Sequence, residues 1–131
     1  MMKYLLVMGL IGLLVLSGCT QGGASHPQTP EFISFAQCIT ASDTLMYGSF
    51  TCLSCKKQRE GFGDAFQYIN EIECHPKGQN PQVQLCLDKK VDKTPTWIRE
   101  VDGKELGRLE GFQSYEALSQ LSGCPYPGTG A

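Results

Sequence analysis

The chain has 131 residues, a formal net charge of −2 from 11 basic and 13 acidic side chains, and 41% hydrophobic residues. Without an excess of basic residues it offers no electrostatic footprint for nucleic acid, which is therefore not expected as a partner. Behind the amino-terminal segment roughly 100 residues remain, enough for one domain with a single core but not for two.

The amino terminus has the pattern of a secretory signal peptide. Lys3 precedes an apolar run over residues 5–16, and the small residues Ser17 and Gly18 follow it. Such a run is too short to span a bilayer as a finished helix. We predict that residues 1–18 are a lipoprotein signal peptide; the alternative is that they are kept as a membrane anchor.

The sequence Leu16-Ser17-Gly18-Cys19 resembles the bacterial lipobox. The resemblance implies that Cys19 is lipidated, with palmitate among its acyl chains, and becomes the first residue after cleavage. Acyl chains hold a protein at a membrane because each buried methylene contributes about 0.8 kcal/mol. We therefore expect attachment to the extracytoplasmic side of a bacterial cell envelope, and Thr20 favours the outer membrane where the host has one.

Composition divides the rest of the chain into a tether, a domain and a tail. Residues 20–30 are rich in Gly, Ser, Gln and Pro and show no apolar periodicity, so residues 19–30 are predicted to be a lipidated flexible tether. The folded domain is predicted to cover residues 31–124. Residues 125–131 are expected to be a disordered tail.

Apolar spacing predicts the elements in the first half of the domain. Residues 31–40 have helical periodicity, and residues 44–49 are apolar and β-prone, which is typical of a buried strand. A helix is predicted from residue 56 onward, because Phe62 and Phe66 are four residues apart and would share one face.

The second half of the domain is predicted to contain a strand within residues 68–74, a short helix that carries Cys86, and a hairpin. The hairpin joins residues 96–101 to residues 105–109 across Asp102-Gly103, a pair that supplies the positive φ angles of a tight primed turn.

A closing helix over residues 115–121 completes the order helix, strand, helix, strand, helix, hairpin, helix. This order predicts an α/β fold with a mixed central sheet and helices on both faces.

Seven cysteines is a high count for this length, and six remain in the domain when Cys19 is set aside: Cys38, Cys52, Cys55, Cys74, Cys86 and Cys124. An even number in an exported domain favours disulfides, but many pairings are possible.

Cys52 and Cys55 are separated by two residues at the point where a predicted buried strand gives way to a helix. The first sulfur would lie at free backbone N–H groups and the positive end of the helix dipole, which stabilise a thiolate. Cys52 is therefore predicted to be the nucleophile. Cys55 would then resolve the mixed disulfide formed on Cys52.

Other interpretations of this pair stay open. Zinc sites use the same spacing, and Cys74, His75 and Cys86 could supply further ligands, although they lack a second tight knuckle. A purely structural bridge between Cys52 and Cys55 is another alternative. An oxidising compartment favours disulfides over zinc, so no metal or cofactor is expected.

Thr94-Pro95-Thr96-Trp97 lies directly before a predicted strand. With the strand and the Cys-x-x-Cys helix, this proline and the hairpin after it resemble the thioredoxin fold. The resemblance implies that Pro95 is cis, that its neighbour packs against the reactive sulfurs, and that Thr94 offers its backbone to a substrate strand. The alternative is an ordinary trans proline at a strand start.

More narrowly, residues 32–123 resemble the thioredoxin-like domain fused to bacterial and plant vitamin K epoxide reductase homologues. The residues that carry this resemblance are Tyr47-Gly48, Cys52-Leu53-Ser54-Cys55, Cys74, Asn80-Pro81-Gln82, Cys86, Pro95-Thr96-Trp97 and Gly103. The chain departs from that family in having Leu53-Ser54 for the usual Pro-His and Thr51 for an aromatic residue, and the four-helix membrane enzyme is expected to be a separate protein. Without the histidine, one stabiliser of a Cys52 thiolate is missing.

The resemblance implies a stabilising bridge between Cys74 and Cys86, and a dithiol that takes electrons from exported proteins and passes them to a quinone-linked membrane reductase. By elimination, Cys38 is then expected to pair with Cys124; alternatively, one of these two is a free thiol that resolves mixed disulfides. The predicted function is a thiol:disulfide oxidoreductase. The alternative is a non-catalytic, disulfide-stapled lipoprotein that binds a partner.

Overall fold

The computed structural model describes residues 29–129, so the predicted signal peptide and Cys19 lie outside the described residues. The helices and strands are, in chain order, α1 (Pro30–Ala41), β1 (Thr44–Gly48), α2 (Leu53–Phe62), β2 (Glu71–Glu73), α3 (Val83–Asp88), β3 (Thr96–Val101), β4 (Lys104–Glu110) and α4 (Tyr115–Ser122). Short 3-10 helices cover Gly63–Tyr68 and Pro127–Thr129. Within residues 29–129 no helix has the length and apolarity needed to cross a membrane.

The strands form one mixed sheet in the order β2-β1-β3-β4. β1 is parallel to β2 and antiparallel to β3, where Met46 is paired with Trp97. β3 and β4 form the expected hairpin, and both of its turn residues, Asp102 and Gly103, have positive φ. The prediction of a mixed α/β architecture of the thioredoxin-like kind is confirmed.

Side chains alternate across the sheet and divide the core between its two faces. On one face, Met46 and Trp97 are fully buried among residues from three helices: Phe32, Phe35, Ala36, Ile39, Cys55, Phe62 and Leu118. On the other face a smaller cluster forms beside α3: Tyr47, Ile72, Cys86 and Ile98. Helices therefore cover both faces, and the face of α1, α2 and α4 holds most of the core.

Capping side chains fix where the helices begin. The Thr29 hydroxyl accepts a hydrogen bond from the Phe32 N–H at 3.3 Å before α1, and the Ser114 hydroxyl accepts one from the Ala117 N–H at 3.2 Å before α4. Each bond satisfies an amide that has no partner within its helix. Gly123, with φ 76°, ends α4 in the left-handed conformation.

The helix predicted to carry both Phe62 and Phe66 ends sooner than expected. The α-helix stops at Phe62, and Phe66 lies in the 3-10 helix Gly63–Tyr68. The two rings nevertheless remain in contact, with centroids 6.2 Å apart. The four-residue spacing thus predicted the contact correctly but not the helix type.

The second strand is shorter than the predicted residues 68–74. The Thr40 hydroxyl donates a hydrogen bond to the Tyr68 carbonyl at 2.7 Å and accepts one from the Asn70 N–H at 3.0 Å. These bonds tie the backbone before Glu71 to the end of α1. The strand that pairs with β1 therefore covers Glu71–Glu73.

The folded part of the chain continues beyond Cys124, although the sequence predicts that the domain ends there. Tyr126 is buried, and its ring centroid lies 5.2 Å from that of Tyr115 and 5.4 Å from that of Phe35. An aromatic side chain after Cys124 therefore completes the core beside α1 and α4. The structured domain extends into Pro127–Thr129, part of the segment expected to be a disordered tail.

Candidate functional site

Cys52 lies at the junction between the loop that follows β1 and the start of α2. It is the N-cap residue of α2, and its Sγ accepts a hydrogen bond from the backbone N–H of Cys55 at 3.1 Å. Its thiol also faces the backbone carbonyl of Thr94, 3.2 Å away. A helix start on one side and the Thr94 loop on the other therefore hold a sulfur that is partly exposed.

Burial and hydrogen bonding act in opposite directions on the pKa of Cys52. Burial is the largest single influence and raises this pKa, but hydrogen bonds from the Cys55 and Thr94 side chains and from the Cys55 and Ser54 backbone together hold it below its ordinary value. Amides at a helix start lower a thiol pKa because they stabilise the negative charge. The thiolate is thus favoured although no histidine stands between the cysteines.

Cys55 lies one turn inside α2 and is completely buried. Burial, followed by the hydrogen bond with Cys52, raises the pKa of Cys55 to about 12. The two sulfurs therefore differ in exposure and in the direction of their pKa shifts. Cys52 is partly exposed and has a lowered pKa, and Cys55 is enclosed and has a raised pKa.

Thr94 and Pro95 border the dithiol although Thr94 follows Cys52 by 42 residues in the sequence. The Thr94–Pro95 peptide bond is cis, and the Pro95 side chain is fully buried. The Pro95 carbonyl accepts a hydrogen bond from the Gly111 N–H at 2.7 Å. This bond ties the loop before β3 to the loop after β4, beside the reactive sulfur.

Gln58 fastens α2 to the loop after β4. Its side chain is fully buried, and its amide oxygen accepts a hydrogen bond from the Gln113 N–H at 2.8 Å while its amide nitrogen donates to the Gln113 carbonyl at 3.2 Å. Both polar groups of a buried amide are thereby satisfied. The loop that contains Phe112 is held at the dithiol as a result.

Arg59, the next residue, fastens α2 to the loop on the opposite side. Its guanidinium donates from Nη2 to the Ser49 carbonyl at 3.2 Å and forms a two-pronged pair with the Glu71 carboxylate of β2. The strand β2 also holds this loop between β1 and α2, because the Glu73 carboxylate accepts a hydrogen bond from the Phe50 N–H at 3.0 Å. Both loops that flank the dithiol are therefore anchored.

Large apolar side chains are exposed on the segments that flank the dithiol. Phe50, Leu53 and Phe112 are 53%, 80% and 51% exposed, and they come from the loop before α2, the start of α2 and the loop after β4. The Lys57 ammonium lies 5.8 Å from the centre of the Phe112 ring. An apolar rim (Phe50, Leu53, Phe112) at a reactive thiol is suited to contact with another polypeptide.

The other four domain cysteines form two disulfides away from this site. Cys38 of α1 is joined to Cys124 after α4, and Cys74 after β2 is joined to Cys86 of α3. The second bond engages both sulfurs that the zinc interpretation required. Within residues 29–129, no three potential metal ligands cluster closely enough to hold an ion.

Sequence reasoning named Cys52, Cys55, Thr94 and Pro95, and the structure brings these four residues together. It missed Gln58, Arg59 and Glu71. Polar residues on a helix are usually solvated, and the partners of Gln58 and Arg59 are distant in the sequence. The alternation Glu71-Ile72-Glu73 was the one available signal, because it places both acids on the same face of a strand.

Comparison with known proteins adds a relative but no family model. No family model matches this chain. An alignment over 104 residues is 31% identical to the thiol-disulfide oxidoreductase LTO1 of Arabidopsis thaliana and covers 71% of this chain. It covers 28% of that relative, so the chain spans little more than a quarter of its length. The similarity and the paired thiols support an oxidoreductase of thioredoxin-like fold.

Proposed function

We propose that this protein is an extracytoplasmic thiol:disulfide oxidoreductase in which Cys52 exchanges disulfides with exported proteins and Cys55 resolves the intermediate. The observation that carries the proposal is the asymmetry of the two sulfurs. Cys52 is partly exposed with a lowered pKa, whereas Cys55 is enclosed with a raised pKa. In disulfide exchange, a thiol that is accessible and readily ionised serves both as the attacking nucleophile and as the leaving group.

Oxidation of a partner transfers two electrons to the Cys52–Cys55 disulfide and converts it to the dithiol. A partner thiolate attacks the Cys52 sulfur of the oxidised pair; its bond to Cys52 forms as the bond to Cys55 breaks, and Cys55 leaves with the electron pair and takes up a proton. A second partner thiolate then attacks the partner sulfur of the mixed disulfide and expels Cys52. The lowered pKa of Cys52 makes it a better leaving group than an ordinary cysteine. Reduction of a partner runs through the same bonds in reverse.

The surroundings of Cys52 are suited to a polypeptide substrate. Thr94 and Pro95 lie against the sulfur, where an extended segment of a partner would be positioned. The apolar rim would contact side chains next to the partner cysteine. These contacts favour exchange with proteins over exchange with small thiols.

The proposed location follows from the amino-terminal sequence. Lipidation of Cys19 would hold the domain at the extracytoplasmic face of the cell envelope, at the outer membrane where one exists. Replacement of Cys19 by Ser is expected to leave an unprocessed form without lipid, detected by metabolic labelling with palmitate. Cleavage and membrane fractionation like those of the parent protein would contradict this proposal.

The proposed electron partner is a quinone-linked vitamin K epoxide reductase homologue in the membrane. The resemblance of residues 32–123 to the domain fused to such enzymes supports this choice. Oxidation of the reduced dithiol by such an enzyme would return Cys52 and Cys55 to the disulfide form.

The roles of the two cysteines are tested by trapping. The Cys55→Ala variant keeps the nucleophile but lacks the resolving thiol. Mixed disulfides between Cys52 and envelope proteins should therefore accumulate, and a reducing agent should cleave them. The Cys52→Ala variant should trap none. Partners are separated by non-reducing followed by reducing electrophoresis.

The matched control is the double variant with Ala at both positions, which should resemble Cys52→Ala. Equal trapping by the two single variants would refute the assigned roles. Absence of trapping, together with no exchange by the wild type, would instead favour a non-catalytic binding protein.

A further inference from the structure

Arg59 lies directly behind the dithiol. It follows Cys55 by four residues on α2, so the two side chains are on the same face of the helix. The Arg59 guanidinium donates to the Ser49 carbonyl at 3.2 Å, and the Ser49 backbone is among the groups that act to lower the pKa of Cys55. One residue of backbone therefore separates a positive charge from the enclosed thiol.

Glu71 fixes this charge in place. Its carboxylate accepts from Arg59 Nε at 3.0 Å and from Nη2 at 2.6 Å, and both side chains are largely shielded, at 27% and 19% exposed. A two-pronged pair of this kind determines the orientation of the guanidinium plane. Gly48 makes the room, because a β-carbon there would overlap the Glu71 carboxylate.

Of the cations on α2, Lys56 is exposed and paired with Glu60, and Lys57 lies at the Phe112 ring, whereas Arg59 is largely shielded. Cys52 lies on the open side, Arg59 on α2, and Glu71 and Glu73 on β2 beyond Arg59. Glu73 is occupied by the Phe50 and His75 N–H groups, at 3.0 and 2.7 Å. Arg59 is thus the cation placed to favour negative charge on the Cys55 sulfur.

We propose that Arg59, oriented by Glu71, is a positioning residue for the resolving step of the exchange reaction, in which it favours the Cys55 thiolate and fixes the Ser49 backbone against that sulfur. This inference rests on the proposed function. In the step, Cys55 gives its proton to water and its sulfur bonds to Cys52. The bond between Cys52 and the partner breaks, and the partner sulfur leaves with the electron pair and takes up a proton.

The charge matters because Cys55 is the harder sulfur to ionise. Its burial raises its pKa to about 12, so little thiolate exists near neutral pH. A neighbouring positive charge shifts this balance toward the thiolate. For each unit by which the thiol pKa rises, the thiolate fraction falls about tenfold while its nucleophilicity rises about threefold, so resolution slows about threefold.

The test uses the reduced full chain and the aromatic disulfide dithionitrobenzoate in stopped flow. Cys52 releases the first coloured thiolate in a phase that depends on reagent concentration, and Cys55 releases the second in a phase that does not. In Arg59→Met the second phase should slow about threefold throughout the pH range below the Cys55 pKa. The first phase should stay unchanged.

Arg59→Lys keeps the charge without the two-pronged geometry and should restore the second phase in part. Arg59→Gln is the second neutral variant, should the Met variant fold poorly. The matched control is Arg108→Met, which removes an arginine paired with Glu105 on the hairpin and should leave both phases intact.

An unchanged second phase in both neutral variants, or a Lys variant as slow as they are, would overturn the inference. Failure of the proposed function looks different. In that case the wild type shows both phases, yet Cys55→Ala traps no envelope protein, and the role of Arg59 toward Cys55 stands by itself.

Discussion

The protein holds its cysteines in two contrasting ways. The bridges Cys38–Cys124 and Cys74–Cys86 join residues 86 and 12 positions apart in the sequence, and each links two different elements. Cys52 and Cys55 lie within one turn of a single helix and are positioned by hydrogen bonds. Bridges of the first kind restrict the unfolded chain, whereas a bond between Cys52 and Cys55 would close only a short loop.

The two bridges also differ from each other, because they support unequal cores. Cys38–Cys124 joins α1 to the chain after α4, on the face that holds most of the buried residues. Cys74–Cys86 ties α3 to the end of β2, beside a cluster of four buried residues to which Cys86 itself belongs. The Cys38–Cys124 bridge thus closes a long loop on the face with the larger core cluster, and Cys74–Cys86 closes a short loop on the face with the smaller one.

Removing the long bridge should have the larger effect on stability. The chain-entropy model gives a loss of about 4–5 kcal/mol for paired Ala substitutions at Cys38 and Cys124, and about 3 kcal/mol for the pair at Cys74 and Cys86. Urea unfolding of each double variant measures these values. Exchange at Cys52 should persist in both, because its hydrogen bonds are made with Cys55 and Thr94 and not with the bridges.

If the short bridge contributes more stability than the long one, the comparison of the two bridges becomes sharper. If the variant without Cys74–Cys86 proves the less stable, local packing outweighs loop closure, since Cys86 is one of only four buried residues in its cluster. A loss of exchange in either variant, measured while the protein is still folded, would contradict the division between structural and reactive cysteines.

The sequence predicted the framework well because its signals are local. The order of elements follows from apolar spacing, and the hairpin follows from Asp102-Gly103, whose positive φ angles few other pairs adopt. The Cys-x-x-Cys pair at a strand-to-helix junction predicted a sulfur at a helix start, which is where Cys52 lies. The likeness to a known fold, rather than any spacing rule, placed Pro95 beside it.

What the sequence could not predict depends on contacts between distant segments. Gln58 is paired with Gln113, 55 residues away, and in the sequence it is one polar residue among several on a helix. The short β2 also depends on a tertiary contact, that between Thr40 and Asn70. Tyr126 lies beyond the last cysteine, so no periodic pattern marked it as part of the core.

The smallest expected effect concerns the pH dependence of the dithiol. Because hydrogen bonds hold the pKa of Cys52 below its ordinary value, alkylation of Cys52 by iodoacetamide should reach its half-maximal rate at a lower pH than alkylation of a free cysteine. In Cys55→Ala this midpoint should move upward, since one of those hydrogen bonds is lost. Mass spectrometry of the alkylated peptide gives the midpoint, and a midpoint at or above that of free cysteine would contradict the prediction.

The opposite pKa shifts of Cys52 and Cys55 also determine how each thiol changes the unfolding free energy with pH. A thiol with a lowered pKa adds stability above the pKa of the unfolded chain, and this gain is lost as the pH falls through the folded pKa of Cys52. Cys55 acts in the opposite sense, because its contribution is present below the unfolded thiol pKa and is lost as the pH rises toward about 12. Oxidation abolishes both contributions. The difference in unfolding free energy between the reduced and oxidised forms should therefore depend on pH, whereas the contributions of the two structural bridges should not.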